Sequence, residues 1–131
     1  MKKLLLAAAL LIPGIANAGV LNGVYQSEPG DAGKFIHVEM GACADDAALT
    51  CGTIIRAYNA DGSLDPTNVN IGKPIVWAME DRGNGRWGSG KIWAPDRDKT
   101  YDSKMSVNGN ILQVKGCVAF ICRDQNWVNV P

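Results

Sequence analysis

One histidine, His37, stands among the 131 residues, so any Ser–His or Cys–His nucleophilic scheme would have to use it. It lies between Ile36 and Val38 in an alternating run, which places it on the face opposite the apolar one, at a rim or in solvent. Four cysteines, Cys43, Cys51, Cys117 and Cys122, are spaced C-x7-C and C-x4-C. Zinc ribbons need C-x2-C knuckles and redox pairs need C-x-x-C, so neither chemistry fits. Gly85–Lys91 (GRWGSGK) matches the phosphate-binding pattern G-x-x-x-x-G-K. Ile92 stands where Ser or Thr should hold magnesium, and β-type sequence follows where a helix is needed. The plainer reading is a glycine-bent strand. Asn59, Asp61, Ser63 and Asp65 put oxygens at alternate positions, as a calcium loop does, but no glycine stands where that loop needs it and no closing Glu follows. The thirteen acids are scattered and single out no pair for acid–base work. No catalytic set, no metal site and no cofactor is therefore expected.

Binding chemistry is better represented. The tryptophans are Trp77, Trp87, Trp93 and Trp127; Trp87 and Trp93 are six apart on one expected strand and should share a face, with Ser89 and Lys91 between them. Arg56 interrupts the apolar stretch Thr53–Tyr58, where a charge is costly unless it reaches water or meets an anion. Trp93 and Tyr101 flank the Pro95–Lys99 turn and come from adjacent antiparallel strands. At an open barrel mouth, Arg56, Trp93 and Tyr101 would offer stacking plus a cation, which suits a small amphipathic ligand with an acidic head. The plainer reading has Arg56 pointing outward and the aromatics covering the barrel end.

The elements that must position these residues are strands. No stretch after residue 18 holds a 3.6-residue apolar period for three turns; short β-type runs recur, cut by Gly, Asn, Asp and Pro. Strands are expected over 23–27, 34–40, 52–58, 74–79, 87–94, 100–107, 111–118 and 122–130. Asn108-Gly109 reads as the two-residue centre of a type I′ hairpin. Ile36, Val38 and Met40 alternate with Phe35, His37 and Glu39, the one-wet, one-dry pattern of an antiparallel sheet. Eight short strands without helices must hide their edges, either by closing into a barrel or by forming a sandwich; of these all-β folds the expected one is the first, a small eight-stranded antiparallel up-and-down barrel. The longest loop, 59–73, reads as a lid or a disordered link.

Lys2 and Lys3, the apolar run Leu4–Ile12 and Ala16-Asn17-Ala18 read as a signal peptide over 1–18, cleaved between Ala18 and Gly19. One β-barrel domain would then occupy 19–131, periplasmic or secreted. No later segment approaches the roughly 20 apolar residues of a membrane span. Without the leader the chain carries 11 basic and 13 acidic residues, which argues against nucleic acid and against a polybasic membrane docker. An even cysteine count in an exported chain points to two disulfides. Three pairings are possible; closeness in sequence favours Cys43–Cys51 and Cys117–Cys122. Oligomeric state is left open.

From about Gly23 to Val130 the chain resembles a family of exported bacterial proteins of unknown function with a lipocalin-like barrel. The resemblance rests on Gly23-Val24-Tyr25, Leu49–Ile55, Asp65-Pro66-Thr67-Asn68, Arg86–Pro95 followed by Lys99-Thr100-Tyr101, Val114–Cys117, and Cys122–Trp127. It implies the barrel and export, and it brings no catalytic residues. It also implies that Arg123, a last-strand cation, packs against Tyr25, a first-strand aromatic, at the closed end. The function expected is non-enzymatic: binding of a small apolar or amphipathic molecule in the cell envelope. The alternative is an interaction module that meets a protein, peptide or glycan through an aromatic surface.

Overall fold

The computed structural model describes residues 19–131; the leader expected over 1–18, with Ala18 at its junction, lies outside the described residues. Eight strands follow in chain order: β1 (Gly23–Gln26), β2 (Phe35–Ala42), β3 (Thr50–Tyr58), β4 (Pro74–Gly83), β5 (Arg86–Ala94), β6 (Lys99–Asn108), β7 (Ile111–Val118) and β8 (Ile121–Val130). Each pairs antiparallel with its sequence neighbour, and β1 pairs with β8, so the sheet closes into an up-and-down barrel. The expected strands are all present, with β4 longer by four residues.

Turn chemistry sets the hairpins. Asn84 and Gly85 both have positive φ (57° and 72°) between the paired Gly83 and Arg86, so the type I′ turn sits here. At the other hairpin Asn108 pairs with Ile111, and Gly109 (φ 62°) is the first of two central residues. The register there is one residue later than the sequence suggests, and Gly leads the turn as type II′ requires.

Large side chains fill the barrel. Val38, Ile54, Val76, Met79 and Leu112 are fully buried, packed with Tyr25, Met40, Trp87, Met105, Val114 and Trp127. Gly90 is small because Met79 Sδ and the Trp77 carbonyl oxygen occupy the space a Cβ would take. Buried polar groups are satisfied: Ser103 Oγ donates to the Lys115 carbonyl at 2.7 Å, and Thr50 Oγ1 accepts from the Leu21 amide at 3.0 Å. The residues before β1 seal one end, with Leu21 against the core and Trp87 Nε1 donating to the Gly19 carbonyl at 2.8 Å.

The opposite end carries the 27–34, 59–73 and 95–98 loops and the β7–β8 turn. The 59–73 segment is a strap along β3, not a free link: the Asp65 amide bonds to Ala57 at 2.8 Å, and Gly72 and Lys73 exchange bonds with Ile54 at 2.7 and 3.0 Å. Closure is incomplete here. β1 meets only Val128–Val130 of β8, while β7 pairs with β8 as far as Ile121. The outer half of the β7–β8 hairpin thus projects past the closed wall.

Both disulfides are local, Cys43–Cys51 and Cys117–Cys122, and no free cysteine is left. Bonds of this kind belong to oxidising compartments.

Candidate functional site

Bulges decide which side chains face which way. On β5, Trp87 pairs with Met105 and Gly90 with Ser103, so Gly88 and Ser89 together oppose Lys104. Ser89 takes φ 60°, the left-handed bend of a bulge. The side-chain alternation flips there. Trp87 faces the core, and beyond the bulge Gly90 and Ile92 face it too, so Trp93 falls out of phase with Trp87 along the strand while its half-buried ring still packs against the core cluster. The expectation that Trp87 and Trp93 share a face is corrected: it counted a period of two through a residue that breaks it.

Trp93 and Tyr101 are neighbours at the loop-bearing end, as Trp93 pairs with Thr100 and Ile92 with Tyr101. The pleat separates their side chains. Tyr101 shares the inner face with Ile92 and the surface over Gly116. Trp93 is half-buried against the core cluster; its Nε1 donates to Asp98 Oδ1 at 2.9 Å, and Lys73 Nζ lies 5.6 Å from its ring centre. Arg56 stands at the same end on the outer face of β3, opposite His37. The structure therefore brings the three to one end of the barrel, with Arg56 and Tyr101 on opposite faces of its wall, and gives no hydrogen bond or ring stacking among them.

A different group is assembled around Arg56. β3 carries a bulge at Ile55, since His37 pairs with Arg56 and Val38 with Ile54. That bulge lets Ile54 and Ala57 both face inward while Arg56 and Tyr58 face outward beside Phe35 and His37. Phe35 stacks on Tyr58 with ring centres 4.9 Å apart, and the His37 ring lies 4.6 Å from that of Tyr58. Arg56 Nε donates to His37 Nδ1 at 3.3 Å, and the Tyr58 hydroxyl donates to the same nitrogen at 3.4 Å. An accepting Nδ1 makes the ring neutral, so Nε2–H donates to Gln26 Oε1 at 3.0 Å. Burial lowers the His37 pKa and the Arg56 charge lowers it further, which agrees with a neutral ring.

His37 is thus not a solvent histidine; only 8% of it is exposed. Its outward face was readable from alternation, but its partners were not, because Gln26, Arg56 and Tyr58 reach it by strand pairing. Arg56 itself is exposed, and among the described residues its guanidinium meets no carboxylate within 4.0 Å. Its Nε edge is fixed by histidine and its other edge is free to meet an anion.

Arg123 does not reach Tyr25. It pairs with Gly116 on the projecting part of β8, six residues from Asn129, the partner of Tyr25. The sole cation–π pair among the described residues is Lys73 with Trp93. Asn59, Asp61 and Ser63 cap the turn of the strap, with Asp61 Oδ1 accepting from Ser63 amide and hydroxyl at 2.9 and 2.6 Å.

Comparison with known proteins adds two findings. A family model described as "Uncharacterized protein conserved in bacteria (DUF2147)" matches residues 23–129. The fold is similar to that of protein HP1028 from the human pathogen Helicobacter pylori, described as belonging to the lipocalin family, with a TM-score of 0.65 at 18% identity over 85% of this chain and 83% of that one. No curated protein sequence matches the chain.

Proposed function

The chain belongs to the DUF2147 family of bacterial proteins, and we propose that it is an exported, non-enzymatic binding protein for a small amphipathic molecule with an acidic head. The observation that carries this reading is Arg56, held at its Nε edge by a neutral His37 and left without a carboxylate partner. A cation so placed beside the Phe35–Tyr58 stack offers a paired anion contact next to an apolar plate. Trp93, half-buried at the same end, is the aromatic surface a chain or ring would meet beyond the head. The lipocalin-like barrel supports a ligand-binding role. The two disulfides and the leader-like first 18 residues support the periplasm or medium as its place of action.

Because large side chains fill the interior, the ligand is held at the loop-bearing end and not deep in the barrel. The same filling favours a second reading, an interaction module that uses the outer wall. Native mass spectrometry of protein recovered from its own cell envelope tests the first reading. A co-purified anionic amphiphile, lost in Arg56→Ala, is the expected result; bare protein in both forms would contradict it.

A further inference from the structure

The β7–β8 turn is made of the wrong residues for a turn in water. Val118, Ala119, Phe120 and Ile121 occupy it, and Val118, Phe120 and Ile121 are 59%, 93% and 70% exposed. Ala119 takes φ 57°, a conformation that Gly or Asn adopts at lower cost. The tip projects beyond the closed part of the barrel, and Cys117–Cys122 staples it at its base. A protruding, pre-ordered apolar tip loses little conformational freedom on docking.

The wall beside it is basic. Phe120 lines an open groove of about 660 Å³ together with Lys91 and Lys104. Lys104 and Ser89 also line a second groove of about 670 Å³, which adds Arg82, Arg86 and Lys115. Acids are near: Asp102 pairs with Lys91, Glu80 lies 3.6 Å from Arg82, and Asp124 stands opposite Lys115. Arg86, Lys104 and Lys115 nevertheless meet no carboxylate within 4.0 Å among the described residues. The near-neutral total charge averages over the molecule and hides this wall.

We propose that the β7–β8 tip and this basic wall dock the protein on an anionic membrane surface, with Phe120 and Ile121 entering the interface and Lys104 and Lys115 facing lipid phosphates. Apolar insertion beside unpaired cations is how a peripheral protein holds to such a surface. The surface is distinct from the Arg56 cluster, which lies across β1–β3, so either idea can fail alone.

The test is co-sedimentation of the processed, exported chain with vesicles of phosphatidylglycerol and phosphatidylethanolamine, and with vesicles of phosphatidylcholine. Binding to the anionic vesicles is expected, weakened by salt. Phe120→Ser should lower it about tenfold or more, and Lys104→Glu should lower it while leaving the fold intact, since both positions are exposed. Equal binding to both lipids, no binding to either, or binding unchanged in Phe120→Ser would overturn the proposal. Concentration-dependent dimers abolished by Phe120→Ser, without vesicle binding, would also overturn it and assign the tip to self-association.

Discussion

Arg56 and His37 face each other across β3 and β2, and the guanidinium donates to the one ring nitrogen that a neutral histidine leaves free, at 3.3 Å. Protonating His37 removes that acceptor and sets two cations side by side. Folded His37 has its pKa below the ordinary value of 6.5, by burial first and by Arg56 second. The unfolded chain therefore takes up the proton first as pH falls, and stability declines. The contribution is complete above about pH 6.5 and is lost as pH falls through the lowered folded pKa. Thermal melts from pH 7.5 downward should show a fall that His37→Asn flattens just below 6.5; an unchanged slope in the variant would separate His37 from it.

Gly90 is the tightest backbone position on β5. An added Cβ would strike Met79 Sδ and come within 2.7 Å of the Trp77 carbonyl oxygen. Gly90→Ala should therefore cost about 1–3 kcal/mol by overpacking. Gly62→Ala serves as the control for space, because nothing lies within 4 Å of it, although its φ of 90° adds strain of another kind. Urea unfolding of both variants checks the difference; equal midpoints for wild type and Gly90→Ala would contradict the packing described.

The disulfides join residues 8 and 5 apart in sequence. Loops that short contribute about 2–3 kcal/mol each in the chain-entropy account. Non-reducing digestion should give one fragment with Cys43 bound to Cys51, another with Cys117 bound to Cys122, and no free thiol. A cross-link between the two pairs would contradict the barrel's register at both ends.

Much of the barrel was legible in the sequence because the evidence for it is local. Strand boundaries follow from Gly, Asn and Pro punctuation, and the disulfides from spacing in an even set. What escaped reading was non-local or hinged on one residue. The bulge at Ser89 put Trp93 out of phase with Trp87, and nothing in GSG separates a bulge from a straight run. The Asn-Gly rule named the right turn type but the wrong hairpin, since the type I′ conformation belongs to Asn84-Gly85. Arg56 stood out as a charge in an apolar run, whereas its engagement with His37, Tyr58 and Gln26 required strand pairing to be known.

Binding of an anionic amphiphile at Arg56 is most directly tested by tryptophan fluorescence during titration with a series of fatty acids, in wild type and in Arg56→Ala. Trp93, half-buried at the loop-bearing end, is the reporter. Wild type should show a saturable change, and Arg56→Ala should weaken it about tenfold or more, as loss of a charged hydrogen bond does. A flat titration in wild type, or identical curves for both proteins, would contradict the account.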